Sequence, residues 1–163
     1  MLGTIVEFRN LESGEHIKRV KEYTRVLAEY FSVKYPEYDL TRDKINNIVE
    51  ASALHDLGKI CIPDRILLKP GKLTDEEFDQ IRIHPVSGYH ILKDIHDDAR
   101  VAYGAKYHHE RYDGKGYPNG LEGENIPEIA RIIGVADAYD AMASNRSYRN
   151  ALPQDVVRSE IEK

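Results

Sequence analysis

Apolar residues recur at helical spacing along almost the whole chain, and this pattern limits the fold more than any other feature. Ile17, Val20 and Leu27 fall at the three- and seven-residue intervals of one helix face. Comparable spacing returns in the later segments, outside one glycine-rich stretch. No segment alternates apolar and polar residues between turn signals, as a half-buried strand would. The sequence therefore predicts an all-α helical bundle.

Start and stop residues divide this pattern into separate helices. Pro36 lies just beyond the first helix, Gly58 ends the second, and Thr74 with Glu77 has the form of a capping box that opens the third. Pro85 separates the third helix from the fourth. The predicted helices cover about residues 14–33, 45–58, 74–84, 85–95, 98–108, 127–143 and, as a helix begun but not finished, 152–163.

The stretch from 111 to 127 interrupts the helical pattern. It contains two prolines and the four glycines Gly114, Gly116, Gly120 and Gly123, a composition that disfavours regular structure. We expect one long glycine-rich loop between the fifth and sixth helices.

The composition indicates a single folded domain that needs no disulfide. With 163 residues, 41% of them hydrophobic and 31% charged, the chain is long enough to bury a core. The one cysteine, Cys61, excludes both an internal disulfide and a cysteine-rich zinc site. We expect Cys61 to be a small buried apolar residue.

Charge and hydropathy argue against two classes of partner. A net charge of −5 does not suit a protein that binds a nucleic acid polymer, because such binding rests on a basic surface. No apolar run approaches the ~20 residues of a membrane span, and no signal-peptide pattern opens the chain. We therefore expect no membrane insertion and a cytoplasmic location.

Histidines and carboxylates cluster in a way that indicates a metal site. His108 and His109 are adjacent next to the glycine-rich stretch, and His55 is followed by Asp56. Imidazole and carboxylate ligands without thiolates suit a hydrolytic divalent metal such as Fe, Mn, Zn or Ni. Five of the seven histidines share such a setting, namely His16, His55, His84, His108 and His109. We interpret His90 and His96 as ordinary packed or solvated residues.

One further carboxylate lies where a carboxylate is costly. Asp137 falls in the middle of the apolar stretch 127–143. A buried carboxylate needs an ionic partner or a metal ion to offset its lost hydration. Asp137 is therefore a candidate ligand.

The ordered series of these motifs resembles the HD-GYP family of cyclic di-GMP phosphodiesterases, a branch of the HD phosphohydrolases, over nearly the whole chain. Its specific segments run from His55 to Asp64 and from His108 to Pro118, whereas a lone His-Asp dipeptide would be a weak signal. The matching residues are His16, His55, Asp56, Lys59, His84, His108, His109, Gly116, Tyr117, Pro118 and Asp137. The resemblance implies an HD-domain helical bundle.

The resemblance also implies a centre of two or three divalent metal ions, with Fe or Mn favoured and Zn or Ni left open. The carboxylate of Asp56 would bridge two ions. A third ion would use Glu12, which lies four residues before His16 and hence on the same helix face, with Glu15 as a nearby competitor. The implied metal ligands are Glu12, His16, His55, Asp56, His84, His108, His109 and Asp137.

The activity implied by the resemblance is hydrolysis of cyclic di-GMP to the linear dinucleotide pGpG. Further cleavage to GMP, and action on similar cyclic dinucleotides, are left open. A metal-bridging hydroxide would attack the phosphodiester. Asp56 and Lys59 are the catalytic candidates, and the Lys59 cation would neutralise charge on the phosphoryl oxygens. Alternatively, Lys59 offsets a helix dipole.

The candidate substrate-binding residues are Lys59, Tyr117, Arg146 and Arg149. The two arginines match a basic segment of the family and suit phosphate or guanine. Tyr117 either stacks on a purine or packs the loop onto the bundle. Asp140, one turn after Asp137, is a candidate to orient a ligand histidine or a water.

The resemblance implies GGDEF-domain proteins as partners, which would dock through the Gly116-Tyr117-Pro118 motif. Two other functions stay open: an HD phosphohydrolase that acts on another nucleotide, and a catalytically silent docking or sensor module. We expect residues 1–163 to form a single HD-GYP domain. Because family domains usually continue past the point matching Lys163, we expect either a short member or a domain truncated at its C-terminal end.

Overall fold

The computed structural model describes residues 15–145 and 150–162, and these residues form α-helices without a β-strand. This confirms the predicted all-α fold. The helices are α1 (Glu15–Lys34), α2 (Arg42–Ser52), α3 (Asp64–Leu67), α4 (Asp75–Ile81), α5 (His84–Lys93), α6 (Ala99–Tyr107), α7 (Glu128–Ala143) and α8 (Gln154–Ile161). Short 3-10 helices cover Pro36–Tyr38, Leu57–Cys61 and Gly123–Asn125.

Helix α2 ends earlier than the sequence predicts. It stops at Ser52 rather than at Gly58, and a turn then leads into the 3-10 helix Leu57–Cys61. The backbone N–H of Leu54 donates to the carbonyl oxygen of Ala51, so the hydrogen bonds have already tightened to the three-residue interval. His55 and Asp56 therefore lie in a turn after the helix, not at its last residues.

Two further expectations were wrong. The four-residue helix α3 was not predicted, so the glycine-rich stretch follows the sixth helix, not the fifth, when helices are counted from residue 15. Cys61 is exposed rather than buried, because it ends a 3-10 helix whose buried residues are Leu57 and Gly58. Of its two apolar neighbours, Ile62 is buried and Ile60 is 53% exposed.

The core forms around α6, whose small buried residues let three helices approach it. Helix α6 packs against α2, α5 and α7, while α1 covers α2 and α7. Val101, Ala102 and Ala105 of α6 are fully buried, and Ile133 of α7 is buried opposite Gly104. Burying this apolar surface stabilises the bundle and fixes the helix ends that carry the histidines.

Helix α7 is buried or half-buried along most of its length, but it is not enclosed on every side. Ile129, Ile132 and Ile133 are buried, but Val135 is 38% exposed. The side chain of Asp137 is 20% exposed, so it is neither solvated nor sealed in the core. Among the helices within residues 15–145 and 150–162, none combines the length and apolarity needed to cross a membrane.

A close backbone approach joins the turn after α2 to the start of α5. A Cβ atom at Gly58 would lie 1.8 Å from the carbonyl oxygen of His84 and 2.5 Å from the backbone nitrogen of Gly88. Only glycine allows this distance. The approach brings the segment with Asp56 directly against the first turn of α5.

We predict that Gly58→Ala destabilises the fold by about 3 kcal/mol or more, because the added methyl group meets backbone atoms that cannot move independently. Gly104→Ala is the matched control. It is also buried, but its Cβ would meet the end of the Ile133 side chain at 3.0 Å, and alanine favours the helix. The control should change the free energy of unfolding by about 1 kcal/mol or less. Denaturant unfolding would measure both, and equal losses would contradict the prediction.

Candidate metal centre

The structure brings seven of the predicted ligands together in two groups. Within each group, one ligand atom from every residue lies within 4.8 Å of the others. The first group contains Asp56, His84, His108 and His109, and the second contains His16, His55 and Asp137. Residues far apart in the chain meet because they stand at helix ends that converge on one side of the bundle. Only Asp137 lies inside a helix away from its ends.

Three of these histidines are oriented by the same local hydrogen bond. The Nδ1–H of His55 donates to the carbonyl oxygen of Ser52 at 2.7 Å. His84 donates in the same way to Ile81 at 2.7 Å, and His108 to Ala105 at 2.8 Å. Since a carbonyl oxygen only accepts, Nδ1 carries the proton and Nε2 is the ring atom available as a ligand.

His16 is oriented by a carboxylate instead of a carbonyl. Its Nδ1 lies 2.6 Å from Oδ2 of Asp140, which is 1% exposed. Nε of Arg19 donates to the other oxygen of Asp140 at 2.6 Å, and Ser144 donates to it at 3.0 Å. Burial raises the pKa of Asp140, but the hydrogen bonds from His16, Arg19 and Ser144 outweigh it and hold that pKa well below its usual range. Asp140 thus has the geometry predicted for a residue that orients a ligand histidine.

Asp56 lies between the two groups. Its Oδ1 is 3.1 Å from Nε2 of His84, on the side of the first group. Its Oδ2 is 3.3 Å from Nε2 of His55, on the side of the second group. One carboxylate oxygen therefore faces each set of imidazoles, which is the arrangement that a bridging carboxylate requires.

Two histidines of the first group, His108 and His109, are neutral near pH 7. Burial, together with the neighbouring His109, lowers the pKa of His108 well below its ordinary value. Burial and the nearby His84 lower the pKa of His109 to about 4. Neutral imidazole is the form that binds a metal ion, so both rings are prepared as ligands.

His55 and Asp56 hold opposite charges in the absence of a metal ion. Burial alone would lower the pKa of His55, but the carboxylates of Asp56 and Asp137 outweigh it and raise the pKa to about 10. Burial would raise the pKa of Asp56, yet Lys59 and His55 hold it well below the usual range. The same negative charge that retains a proton on His55 would attract a divalent cation in its place.

Two buried atoms lack hydrogen bonds in this cluster, namely Nε2 of His55 and Oδ1 of Asp56. A buried polar atom without a partner costs about 1–3 kcal/mol. Both atoms belong to residues of the two groups, and the set offers only imidazole nitrogens and carboxylate oxygens. Divalent metals of the Fe, Mn, Zn and Ni type accept this donor set, so the residues present fit such ions.

Lys59 and Tyr117 border the ligand cluster. Nζ of Lys59 lies 2.6 Å from Oδ2 of Asp56, with the lysine side chain 20% exposed. The ring of Tyr117 stacks on the His109 imidazole at 4.7 Å between centroids. Burial raises the pKa of the Tyr117 hydroxyl to about 12. A lysine ammonium group and a protonated phenol therefore lie beside the candidate ligands Asp56 and His109.

The glycine-rich loop is held against the ligand histidines by its own backbone. A Cβ atom at Gly116 would lie 2.5 Å from the carbonyl oxygen of His109 and 2.3 Å from the backbone nitrogen of Arg111. The carboxylate of Glu110 accepts from the backbone N–H groups of Asn119 at 2.7 Å and Leu121 at 2.9 Å. These contacts position Tyr117 over His109. Of the two alternatives for Tyr117, these contacts support packing of the loop onto the bundle.

Several predicted residues stand apart from this cluster or outside the described residues. Glu12, Arg146 and Arg149 belong to the segments 1–14 and 146–149, which lie outside them. His90 and His96 join neither ligand group, and Nδ1 of His96 accepts from the backbone N–H of Asp98 at 3.1 Å.

Sequence reasoning missed Arg82, which contacts Tyr117. The Arg82 guanidinium lies 5.6 Å from the centre of the Tyr117 ring. The only sequence signal was its place two residues before His84, at the helix break that brings this segment to the site.

Comparison with known proteins places this geometry in a family. The model of the HD domain family matches residues 12–157. A "Cyclic di-GMP phosphodiesterase" of Vibrio cholerae is 41% identical over 98% of this chain and 34% of its own length. Another of that name from Thermotoga maritima is 41% identical over 99% of this chain and 43% of its own length. A "3'3'-cGAMP-specific phosphodiesterase 2" of Vibrio cholerae is 38% identical over 98% of this chain and 30% of its own length.

The chain thus spans less than half the length of these curated relatives. The resemblance recognised from the sequence is confirmed.

We predict that Asp56→Ala lowers the metal content by at least one ion per chain, because both ligand groups lose the carboxylate between them. His96→Ala is the matched control, since it removes a histidine outside both groups. Elemental analysis of anaerobically purified protein would measure the change. Equal metal content in the two variants would show that Asp56 does not hold an ion.

Proposed function

Since the chain belongs to the HD domain family, we propose that it is a metal-dependent phosphodiesterase that hydrolyses cyclic di-GMP to pGpG, with further cleavage to GMP left open. The observation that carries the proposal is the pair of ligand groups with Asp56 between them. Two of the relatives carry cyclic di-GMP in their names, which supports cyclic di-GMP as the substrate. A mononuclear site would not need a carboxylate that faces two sets of imidazoles.

The proposed metal ligands are those of the two groups: His16, His55, Asp56, His84, His108, His109 and Asp137. When bound, divalent ions supply a water of lowered pKa and positive charge for the phosphate oxygens. We propose two ions for the described residues, and a third if Glu12 joins His16. Fe or Mn is favoured by the resemblance, and the donor set also suits Zn or Ni.

The chain's own residues are proposed to bind and neutralise the phosphodiester. Lys59 would donate to a phosphoryl oxygen, since its ammonium group lies at the edge of the cluster beside Asp56. Asp56 would hold Lys59 in place through their contact, in addition to its role as a ligand. Arg146 and Arg149 are proposed, on the resemblance alone, to bind phosphate or guanine.

Tyr117 is proposed to shape the site rather than to take part in the reaction. Its ring already contacts His109 and Arg82, and its hydroxyl stays protonated at neutral pH. The ring would keep water from one side of His109. A base that stacks on Tyr117 would have to compete with these contacts.

A second candidate substrate is 3'3'-cGAMP. One relative of 38% identity carries that substrate in its name. The two cyclic dinucleotides share the phosphodiester and differ in one base, so the same metal centre would serve both. The choice between them must come from residues that contact the base.

Other parts of the proposal rest on the resemblance. Residues 1–163 are proposed to form one HD-GYP domain, and the Gly116-Tyr117-Pro118 motif to dock GGDEF-domain proteins. A cytoplasmic location stays a prediction from the sequence. A silent docking module is disfavoured because none of the seven described ligands has been replaced.

Hydrolysis of defined nucleotides by the metal-loaded protein would test the proposed function. Protein purified anaerobically and supplied with Mn(II) or Fe(II) should convert cyclic di-GMP to pGpG, as followed by chromatography. A nucleoside triphosphate and a nucleoside monophosphate serve as the other substrates. Cleavage of these alone would favour a different HD phosphohydrolase, and bound metal without turnover of any nucleotide would favour a silent module.

We predict that Lys59→Ala lowers kcat for cyclic di-GMP by roughly a hundredfold without loss of metal, because it removes one donor to the developing charge. Lys69→Ala is the matched control. Its ammonium group also pairs with one carboxylate at 2.6 Å, that of Glu77, but away from the ligand groups. The control should retain the parent rate. Loss of metal from the Lys59 variant would instead assign Lys59 a role in holding Asp56.

A further inference from the structure

A pocket of about 440 Å³ opens beside the ligand cluster. This volume lies near the lower end of the roughly 300–1,000 Å³ of small-molecule pockets, and suits one nucleotide unit better than a whole cyclic dinucleotide. Its lining is mainly apolar, with one charged side chain. The lining residues are Arg82, Ile83, Val86, Ser87, Tyr117 and Pro118.

The pocket adjoins the metal centre, because two of its lining residues are next to candidate ligands. Tyr117 stacks on the ligand His109 at 4.7 Å, and Ile83 directly precedes the ligand His84. A molecule held at the metal centre by its phosphate therefore has this pocket as a neighbouring space. Ile83 lines the pocket and is 48% exposed, so part of its apolar surface is open to solvent.

Arg82 is held at this pocket by two aromatic rings. Its guanidinium carbon lies 4.8 Å from the centre of the Phe78 ring and 5.6 Å from that of Tyr117. Its Nη1 donates to the carboxylate of Asp79 at 3.1 Å. The side chains of Arg82 and Asp79 are 49% and 69% exposed, and such exposed pairs contribute little energy. The rings orient the guanidinium, while its remaining N–H groups can turn to a ligand.

We propose that this pocket binds one guanine base of the substrate and that Arg82 recognises it by donating to O6 and N7. This inference rests on the proposed function and deepens it, because it names the residue that selects the base. The apolar walls would contact the purine ring. The Arg82 guanidinium would reach the O6 and N7 edge of the guanine from the side of Tyr117.

The hydrogen-bonding pattern of the bases explains the selectivity. Arginine carries donors only, and guanine presents two acceptors, O6 and N7, on one edge. Adenine presents N7 together with an amino donor, which would face the guanidinium without a partner. Arg82 would therefore favour a guanine in the pocket over an adenine.

A double-mutant cycle between protein and substrate would test this contact. The parent protein and the Arg82→Met variant would each be assayed with cyclic di-GMP and with its 7-deazaguanine analogue, which lacks N7. Methionine keeps an apolar stem of similar length but has no donor. The analogue should lower kcat/KM of the parent by roughly tenfold, since a hydrogen bond from a charged donor is lost.

The Arg82→Met variant should hydrolyse the two substrates at nearly equal kcat/KM, because the contact to N7 is already absent. Arg158→Met is the matched control. Nε of Arg158 also pairs with one acidic side chain, that of Glu162, at 2.8 Å. Arg158 belongs to α8 and does not line the pocket. It should keep the parent's tenfold preference. Metal content and melting temperature should not change in either variant.

An equal effect of the analogue on the parent and on the Arg82 variant would overturn the proposal, as would the absence of any effect on the parent. The Arg82 variant could then still hydrolyse both substrates more slowly than the parent. In that case Arg82 would bind a phosphate group or hold the Tyr117 ring in place. Failure of the proposed function is recognised separately, because the parent would then not hydrolyse cyclic di-GMP at all.

Discussion

The buried carboxylate of Asp56 is the constraint to which the rest of the site is fitted. Taking a carboxylate out of water is costly unless positive charge or hydrogen bonds replace the lost hydration. Lys59 supplies part of this compensation at 2.6 Å, and His84 and His55 approach its two oxygens. Asp56 reaches this position only because Gly58 allows the following turn to touch the backbone of α5. The close backbone contact at Gly58 therefore helps to fix the position of the Asp56 carboxylate.

Helix ends provide most of the candidate ligands, and one type of hydrogen bond orients three of them. The carbonyl groups near a helix C-terminus lack partners within the helix. His55, His84 and His108 each donate to the carbonyl three residues before, so one bond satisfies the carbonyl and fixes the ring. The sequence separation of three is therefore a physical requirement, since a shorter or longer separation would not return the imidazole to that carbonyl.

In the proposed function, phosphate and base would be bound by different parts of the same region. The ligand groups and Lys59 would bind phosphate, which is common to all cyclic dinucleotides. The proposed pocket at Arg82 and Tyr117 would bind one guanine, a base that cyclic di-GMP and 3'3'-cGAMP share. Relatives with similar identity to this chain carry cyclic di-GMP or 3'3'-cGAMP in their names. Tyr117 connects the two parts, because it contacts both His109 and Arg82.

The sequence by itself determined the helical class, most helix positions and the identities of seven residues that the structure groups together. It could do so because helical periodicity, the Thr74 capping box and the His-Asp motifs are local patterns. Tertiary structure alone decided where α2 ends, that Cys61 is exposed, and that Asp56 faces both ligand groups. It also decided that Arg82 contacts Tyr117, which follows it by 35 positions in the sequence. These features depend on how separate helices pack, because a distance between remote side chains leaves no periodic signal in the residues themselves.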